Sequence, residues 1–478
     1  MQVDAAKDWG VAPAASLTRL LLEATRRPVD ERARRRAVLH WLDWVGCVAA
    51  GSRAPVGQLL RGLCSPPGVP GVPSLLGVAP DDWHATLLDA GPANVEEMDD
   101  MHRQAVLHPG PVVIPALAGL ARRHGLPRDR LLDAVVRGYE IMIRVGRAVG
   151  PRHYFHWHNT ATAGVFGAAA ACADALHLSM DASVWALGNA GTQAAGLWQV
   201  RLEPVMSKQL HTAHAAWAGR SAAALAAAGF TGPQYILEGE RGFFAAMCAD
   251  ADVDAVLRPD ADWLIHQTSF KPWPACRHTH ATIDCVLALA EAAGGAPLRF
   301  SQARVETFGD AATICDNPQP ATRTEAKFSL QYCVAAAAAL GALQPEFFDE
   351  AYLRRPDLLR DAGRVTVQAT DGFTQAYPDH YGARVTLVLE DGRTVSHVVR
   401  DSLGDPERPM PVEALFDKAR ALMTYGGVGE GRAQLVLDAA VAMLGDGWGD
   451  GRDDGFGGVL DIGSAPFPAA LLAPLFDA

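Results

Sequence analysis

Apolar side chains recur at helical spacing through much of the N-terminal half of the chain. From residue 16 to residue 51, leucine, valine and tryptophan return every three or four positions, as on the buried face of a helix. Residues 64–82 are rich in proline and glycine and predict a loop. Five further segments repeat the helical pattern: residues 112–123, 131–149, 164–178, 184–197 and 213–228.

Small residues occupy every fourth position on one face of two predicted helices. They are Gly164, Ala168 and Cys172 on the first helix and Ala215, Gly219 and Ala223 on the second. Small side chains let helix backbones approach closely, which predicts a tightly packed bundle. An alanine-rich composition is the alternative explanation, because alanine has the highest helix propensity. Both explanations predict a helical domain.

The pattern changes after Phe270. Four short segments predict β-strands: residues 305–308, 365–369, 383–389 and 394–399. The last two flank Asp391-Gly392, a pair typical of a tight hairpin turn. Helical patterns at residues 279–293 and 326–343 lie among the strands, so this part of the chain predicts a small α+β unit.

The order of these patterns predicts two domains. Helical spacing returns after Pro411. We therefore predict a mainly α protein in which residues 1–268 and 409–478 form a large all-helical domain, and residues 269–408 form a smaller inserted α+β domain. Residues 445–458 are rich in glycine and aspartate and predict a mobile loop.

Composition and charge restrict the class of protein. The 478 residues include 49% hydrophobic and 20% charged residues and carry a formal charge of −12, which is typical of a globular protein that binds neither nucleic acid nor an anionic membrane. No apolar run is long enough for a membrane span, and the first ten residues lack the features of a secretory signal. Eight scattered cysteines without a C-x-x-C pair predict a reduced, cytoplasmic protein without structural zinc.

Nine of the sixteen histidines fall in four short stretches that also carry carboxylates, lysine or arginine. The stretches are residues 97–110, 153–160, 208–214 and 271–280. Histidine is the side chain that exchanges a proton near neutral pH. Its concentration beside fixed positive charges predicts a pocket that binds an anion and transfers protons. The chain is therefore predicted to be an enzyme.

The first two stretches each have a second, structural explanation. The acids of residues 97–100, with His102 and His108, are typical of an acid–base pair but also of a helix N-terminus. Three histidines precede the alanine-rich helix, where free backbone N–H groups attract anions, and His158 lies closest to its start. The alternative is a polar loop with incidental histidines.

The other two stretches combine histidine with fixed positive charges. Lys208 and His211 share a helix face, so the lysine can hold a substrate carboxylate, although a surface pair has the same spacing. Residues 271–280 hold Lys271, Arg277, His278 and His280. This segment lies where the two predicted domains meet, and pockets are common at domain interfaces.

Taken in order, several segments resemble the MmgE/PrpD family. They are Asp99-Asp100 with His108-Pro109, Gly138-Tyr139-Glu140, and His158-Asn-Thr-Ala-Thr-Ala-Gly164, followed by Gly229-Phe-Thr-Gly-Pro233 with Leu237-Glu-Gly239, Lys271-Pro-Trp-Pro-Ala-Cys-Arg-His-Thr-His280, Asp316-Asn-Pro-Gln-Pro320 and Ala326-Lys-Phe-Ser-Leu-Gln-Tyr332. The resemblance covers roughly residues 17–411. The family includes 2-methylcitrate dehydratase, cis-aconitate decarboxylase and iminodisuccinate epimerase.

The resemblance implies a helical main domain closed by a lid corresponding to residues 269–408, usually in a homodimer. It implies a pocket between the domains that uses no metal and no cofactor. Family positions implicated in catalysis fall on His108, His158, Lys208 and Lys271. The resemblance and the four stretches together indicate further substrate-binding positions: Glu97, Asp100, Met101, His102, His211, Cys276, Arg277, His280 and Cys315.

Several positions depart from the family pattern. Glu97 stands where aspartate is common, Met101 where threonine is usual, and Gly110 where a serine follows His-Pro. Cys276 stands at the position of the decarboxylase's lid histidine, and Cys315 falls on that of a tyrosine. These departures make cis-aconitate decarboxylation less expected.

The implied chemistry is removal of a proton next to a carboxyl group of a small anionic carboxylate. Lys208, Lys271 and Arg277 would stabilise the developing charge, His158 would transfer the proton, and His108 would assist. Dehydration of the 2-methylcitrate type is the first expectation, with epimerisation or decarboxylation as alternatives.

Two other classes of protein remain open. One is a metal-dependent hydrolase whose ligands would be His102, His108, His156, His158, His278 and His280, although their spacing fits no recognised zinc pattern. The other is a non-catalytic anion-binding protein that keeps the family pocket.

Overall fold

Helices dominate residues 15–68, 70–203, 205–445 and 465–476, which this computed structural model describes. The described helices are α1 Leu17–Thr25, α2 Glu31–Ser52, α3 Pro55–Cys64, α4 Asp82–Ala90, α5 Gly110–His124, α6 Arg128–Ala148, α7 Pro151–His156, α8 Asn159–Thr162, α9 Gly164–Ala175, α10 Met180–Gly191, α11 Ser207–Ala227, α12 Phe243–Met247, α13 His280–Ala292, α14 Gly309–Ile314, α15 Arg323–Lys327, α16 Leu330–Leu340, α17 Glu350–Leu353, α18 Pro356–Ala362, α19 Asp371–Ala376, α20 Val412–Gly426 and α21 Glu430–Leu444.

Eight strands and several short 3₁₀ turns accompany these helices among the described residues. The strands are β1 Val72–Ser74, β2 Gly77–Ala79, β3 Met101–His102, β4 Thr268–Ser269, β5 Phe300–Thr307, β6 Val365–Ala369, β7 Ala383–Leu389 and β8 Thr394–Val399. Strands β5 to β8 form a sheet in the order β6-β5-β7-β8, with β5 and β6 parallel and the other pairs antiparallel. The protein is thus mainly α with a small sheet, as the sequence predicts.

The strands of the sheet follow the predicted pattern closely. β6, β7 and β8 have the predicted bounds, whereas β5 begins five residues earlier than the predicted 305 and ends at Thr307. The loop predicted at residues 64–82 was wrong in part, because it contains the β1–β2 hairpin. These two strands have three residues each, too few for an alternating pattern to stand out.

Two large groups of buried apolar side chains stabilise the fold. One is built from helices of the N-terminal half together with α20 and α21, which pack on α2. The other lies between the sheet and helices α13 and α16. The predicted domain bounds, residues 1–268 with 409–478 and residues 269–408, and the lid function remain predictions. The loop predicted at residues 445–458 falls, beyond Gly445, outside the described residues, as do the first ten residues.

Small residues bring the central helices into close contact. A Cβ atom on Gly219 of α11 would lie 2.5 Å from Ala168 Cβ and 2.6 Å from the backbone nitrogen of Ala169, both on α9. A Cβ atom on Gly138 of α6 would lie 2.7 Å from Ala171 Cβ. Real Cβ contacts are longer than this, so only glycine fits at these crossings. The tightly packed helical bundle predicted from the small residues is confirmed.

Helix α11 begins six residues earlier than the predicted 213, and this places Lys208 and His211 on its first turns. Helix α10, by contrast, ends at Gly191 and not at residue 197. The chain between them includes Gly196, whose φ of +120° is open to glycine but costly for other residues, and a short 3₁₀ turn at Trp198–Arg201. None of the described helices is both long enough and apolar enough to cross a membrane.

Substitution of Gly219 by alanine should destabilise the protein by about 1–3 kcal/mol, because the added methyl group meets backbone atoms of α9 that cannot move independently. The free energy of unfolding in a denaturant titration measures this. The matched control is Gly62→Ala on α3, where a Cβ atom meets nothing within 4 Å. That variant should be unchanged or more stable by up to about 1 kcal/mol. Equal stability of the two variants would contradict the close α9–α11 contact.

Candidate active site

Two lysines from distant parts of the chain meet at Glu97, one fully buried and one partly exposed. The Nζ atom of Lys208, at the start of α11, donates a hydrogen bond to Glu97 Oε1. The Nζ atom of Lys271 lies 3.3 Å from Glu97 Oε2. Lys271 is fully buried, and Glu97 is nearly so. Two ammonium groups therefore share one carboxylate, and the trio has one more positive than negative charge.

Backbone pairing brings Glu97 and Lys271 together. Strand β3 follows the loop of Glu97, and strand β4 directly precedes the segment of Lys271. The two strands pair antiparallel, with Met101 opposite Ser269. Each strand has two residues, so neither could be recognised from the sequence pattern.

Glu97 has an unusual backbone conformation. Its φ of +56° lies in the left-handed region, where residues other than glycine, asparagine and aspartate are rare. Such strain persists only where surrounding contacts enforce it, and it is concentrated at functional sites. Here the two lysines hold the carboxylate in place. This conformation supports a functional role for the Glu97 loop.

The ionisation of the trio is set by competition between burial and charge. Burial by itself would raise the pKa of Glu97, but Lys208, Lys271 and His108 lower it well below its ordinary range. Burial likewise opposes the charge of Lys208, yet Glu97 and Asp99 raise its pKa above the usual value. Both groups are therefore charged at neutral pH.

His158 is a buried imidazole beside this cluster. It precedes α8, and its backbone N–H donates to the carbonyl oxygen of Gly196 at 2.9 Å. Its ring centroid lies 4.3 Å from that of Trp198 and 5.6 Å from that of His211. Its Nδ1 atom is buried without a hydrogen-bond partner among the described residues.

Burial is the main cause that lowers the pKa of His158 well below the ordinary value, and Lys208, His211 and His108 lower it further. Burial also lowers the pKa of His211, together with His214 and Lys208. At neutral pH the His158 ring is therefore uncharged, with a lone pair that is able to accept a proton.

His108 is oriented by an acid that the sequence analysis did not select. Its Nδ1 atom lies 2.9 Å from Asp99 Oδ2, and its backbone N–H donates to Thr160 Oγ1 at 3.1 Å. A carboxylate on one ring nitrogen fixes the tautomer and leaves the other nitrogen for chemistry. The signal for Asp99 was the acidic run at residues 97–100, but the spacing did not tell which acid faces the histidine.

Two cysteines and a histidine lie next to the charged cluster. The Sγ atom of Cys276 lies 3.2 Å from Nδ1 of His278. A hydrogen bond from the Cys315 thiol is the largest cause that lowers the pKa of Cys276, with burial opposing it and His278 assisting. Cys276 acts electrostatically on Lys208, so these residues line the same region. His278 is not among the substrate-binding residues predicted from the sequence.

Three of the predicted substrate-binding residues are engaged elsewhere. Asp100 accepts hydrogen bonds from Tyr139 Oη at 2.6 Å and from the backbone of Gly110 at 2.8 Å, and it pairs with His40 at 2.6 Å. Met101 packs in an apolar cluster. His102 accepts from the backbone N–H of Ala105 at 3.3 Å. No contact of the described residues links these three side chains to the lysines.

Arg277 and His280 form a structural network beneath the site. Arg277 pairs with the fully buried Asp405 and contacts His280 Nδ1 at 3.0 Å. His280 Nε2 lies 3.1 Å from the carbonyl oxygen of Ala275. The charge of Arg277 is thus already neutralised, and the contribution to substrate stabilisation predicted for it has no support in these contacts.

The six histidines of the alternative metal site do not converge. Among the described residues, two groups have three potential ligand atoms within 4.8 Å of one another, and His278 is the only one of the six in either group. His156 is exposed. The geometry therefore gives the hydrolase hypothesis no ligand set.

Comparison with known proteins agrees with the resemblance. The family model described as the MmgE/PrpD N-terminal domain matches residues 15–255, and that of the MmgE/PrpD C-terminal domain matches residues 273–442. The chain belongs to the MmgE/PrpD family.

Curated relatives carry the names of enzymes. Cis-aconitate decarboxylase of Aspergillus terreus is 26% identical over 445 residues, which is 85% of this chain and 88% of the relative. The cis-aconitate decarboxylase-like protein oryM of Aspergillus oryzae is 26% identical over 83% of this chain and 86% of its own. Human cis-aconitate decarboxylase is 26% identical over 68% of this chain and 69% of its own.

Replacement of Lys208 by methionine should raise the pKa of His158, because it removes a positive charge that disfavours the imidazolium. Burial should still hold the value below the ordinary range. Imidazole ¹⁵N–¹H correlation spectra recorded across a pH series measure the change. Arg393→Met, which removes an exposed charge in the β7–β8 turn, is the control and should leave the His158 resonances unchanged. Identical titration of His158 in wild type and Lys208→Met would show that the two groups are not coupled.

Proposed function

We propose that this protein is a lyase that removes a proton next to a carboxyl group of a small tricarboxylate, and that the reaction is a dehydration of the 2-methylcitrate type. The observation that carries the proposal is the pair of ammonium groups on Glu97, one fully buried and one partly exposed, beside an uncharged histidine. Each ammonium group has three N–H donors, so the bond to Glu97 leaves donors for a substrate carboxylate. These free donors favour a bound carboxylate.

The proposed reaction divides proton transfer between two histidines. His158 takes the proton from carbon, and the electron pair of that C–H bond moves toward the adjacent carboxyl group. Lys208 and Lys271 stabilise the resulting negative charge, which is the kind of fixed electrostatic contribution that lowers barriers most. The electrons then form the carbon–carbon double bond as the C–O bond to the neighbouring hydroxyl breaks. In this step His108 carries a proton on each ring nitrogen: the proton on Nδ1 faces Asp99 and stays, and the proton on Nε2 converts the leaving hydroxide to water, which leaves His108 neutral.

The cationic groups that this reaction needs are side chains of the protein, so the proposed chemistry requires neither a metal nor a cofactor. Entry of the substrate would also change His158. Its pKa is lowered partly by Lys208, and carboxylates placed between them would offset that charge and make the imidazole a stronger base. A homodimer in the cytoplasm is part of the proposal: the homodimer rests on the family resemblance, and the location on the scattered cysteines.

Decarboxylation is the second candidate, because curated relatives over most of the chain are named cis-aconitate decarboxylases. The same lysines would stabilise the charge left when carbon dioxide departs. Against it stands the chemistry of the positions next to the cluster. Cys276 and Cys315 hold thiols where the resemblance leads us to expect a histidine and a tyrosine.

A substrate screen in D₂O distinguishes these reactions. Citrate-like, aconitate-like and amino-dicarboxylate compounds are incubated with the enzyme and followed by NMR. Deuterium should enter at a carbon next to a carboxyl group, and a hydroxy-tricarboxylate should form an alkene. Release of carbon dioxide instead would identify the decarboxylase. Binding without deuterium incorporation or turnover across the panel would favour the non-catalytic anion-binding protein.

His158→Ala and Lys208→Ala should each lower turnover by at least about 100-fold, since each removes a group that acts on the reacting atoms. Initial rates on the substrate found in the screen measure this, with circular dichroism to establish that the fold is intact. His156→Ala is the matched control, because His156 belongs to the same stretch but is exposed. It should retain the wild-type rate. Near-wild-type turnover of either site variant would refute the assignment.

Chelators should leave turnover unchanged, because the proposed charge stabilisation comes from Lys208 and Lys271. The enzyme is assayed before and after exhaustive treatment with EDTA and a heterocyclic chelator. Loss of activity that a divalent metal restores would instead support metal-dependent chemistry.

A further inference from the structure

The geometry points to a binding site for a thiophilic divalent cation, with Zn²⁺ as the natural occupant, formed by Cys276, His278 and Cys315. One sulfur or nitrogen atom of each residue lies within 4.8 Å of the other two. Two cysteines and one histidine form a ligand set that zinc accepts, with a fourth position left open. The inference does not rest on the proposed lyase reaction.

The distances are close to those that a bound ion requires. Bonds of about 2.3 Å to sulfur and about 2.0 Å to nitrogen, at tetrahedral angles, separate ligand atoms by roughly 3.5–3.8 Å. Cys276 Sγ and His278 Nδ1 are already 3.2 Å apart, and none of the three separations exceeds 4.8 Å. Side-chain rotations of a few tenths of an ångström to about one ångström would complete the site.

The surrounding structure holds the three residues in place. The backbone N–H of Cys276 donates to the carbonyl of Lys327 at 2.8 Å, and the carbonyl of Cys315 accepts from Leu330 at 2.9 Å. The His278 ring lies 5.4 Å from the ring of Phe308 and is stacked on Tyr381 at 5.5 Å. Preorganised ligands lose little conformational entropy when the ion binds.

The hydrogen bonds found at the two sulfurs lie within the group itself, from Cys315 to Cys276 and between Cys276 and His278. His278 Nε2 is buried and has no hydrogen-bond partner among the described residues. The second potential ligand group, His380, Asp401 and Glu407, differs because Arg103 already pairs with both of its carboxylates. A guanidinium therefore occupies the position of a cation there. At the cysteine group, Lys208 and Arg201 act on the sulfurs through their charge, but the hydrogen bonds found at these sulfurs come from neither lysine nor arginine.

The sequence did not reveal this group, because Cys315 is far from Cys276 along the chain. Both cysteines stand at positions where the family resemblance leads us to expect other residues. Two separate departures thus come together in space as a soft-donor pair. Thiolate ligands select zinc and related ions over magnesium or calcium.

Zinc competition under reducing conditions tests the site. The metal-free full-length protein is titrated against a chromogenic zinc chelator, and wild type should retain one equivalent of Zn²⁺. Cys276→Ser and Cys315→Ser should each lose it at the Zn²⁺ concentration that saturates wild type. Cys285→Ser is the control, since this buried cysteine of the same core lies outside the group, and it should bind as wild type does.

The spectrum of cobalt-substituted wild type supplies a measurement that does not depend on whether any variant folds. Co²⁺ bound to wild type should show a sulfur-to-cobalt charge-transfer band in the near ultraviolet, and His278→Gln should alter its visible spectrum. Zinc bound without any sulfur band in the cobalt form would place the ion elsewhere and overturn the inference. Failure of wild type to bind more tightly than Cys276→Ser would overturn it as well. The D₂O screen measures proton abstraction separately. The zinc site and the lyase reaction can therefore be refuted independently of each other.

Discussion

The burial of Glu97 between two ammonium groups is the interaction on which the candidate site depends. A charge removed from water is costly unless opposite charges and hydrogen bonds surround it. The 97–100 loop and the segment after β4 must therefore stay together, because separating them leaves the fully buried Lys271 unpaired, and the first turn of α11 adds a second ammonium group to the same carboxylate. The same trio has surplus positive charge, so the contact that stabilises the loop also prepares the protein to bind an anion.

The histidines complete this site through opposite environments. His158 lies against Trp198, where burial and neighbouring cations keep its ring uncharged and free to accept a proton. His108 lies against Asp99, which favours a proton on the ring nitrogen that faces it. The two imidazoles therefore differ in the groups that face them, an indole ring for His158 and a carboxylate for His108. Membership of the MmgE/PrpD family and relatives named as decarboxylases agree with chemistry on small carboxylates, whereas the paired cysteines set this chain apart.

More of the fold than of the candidate site could be predicted from the sequence. Helical spacing, small residues at helix crossings and the Asp391-Gly392 turn each act over short distances along the chain, and the bundle and strands β6 to β8 follow from them. The residue types identified the stretches of sequence that contain the candidate site. They could not distinguish functional positions within those stretches from structural or exposed ones. Asp100 and Arg277 resemble Glu97 and Lys208 in chemistry. Yet Asp100 is engaged by Tyr139 and the uncharged His40, and Arg277 pairs with Asp405.

By itself, the sequence determined that this is a mainly helical protein with a small sheet, that it resembles one enzyme family, and that its titratable groups are concentrated in four stretches. The tertiary structure decided which acid faces His108, which cations share Glu97 and which thiols meet His278. The physical reason is that periodicity records which face of an element is buried, whereas a charge or hydrogen bond depends on a partner hundreds of residues away. Pairing of two-residue strands such as β3 and β4 brings those partners together, and it leaves no pattern in the sequence.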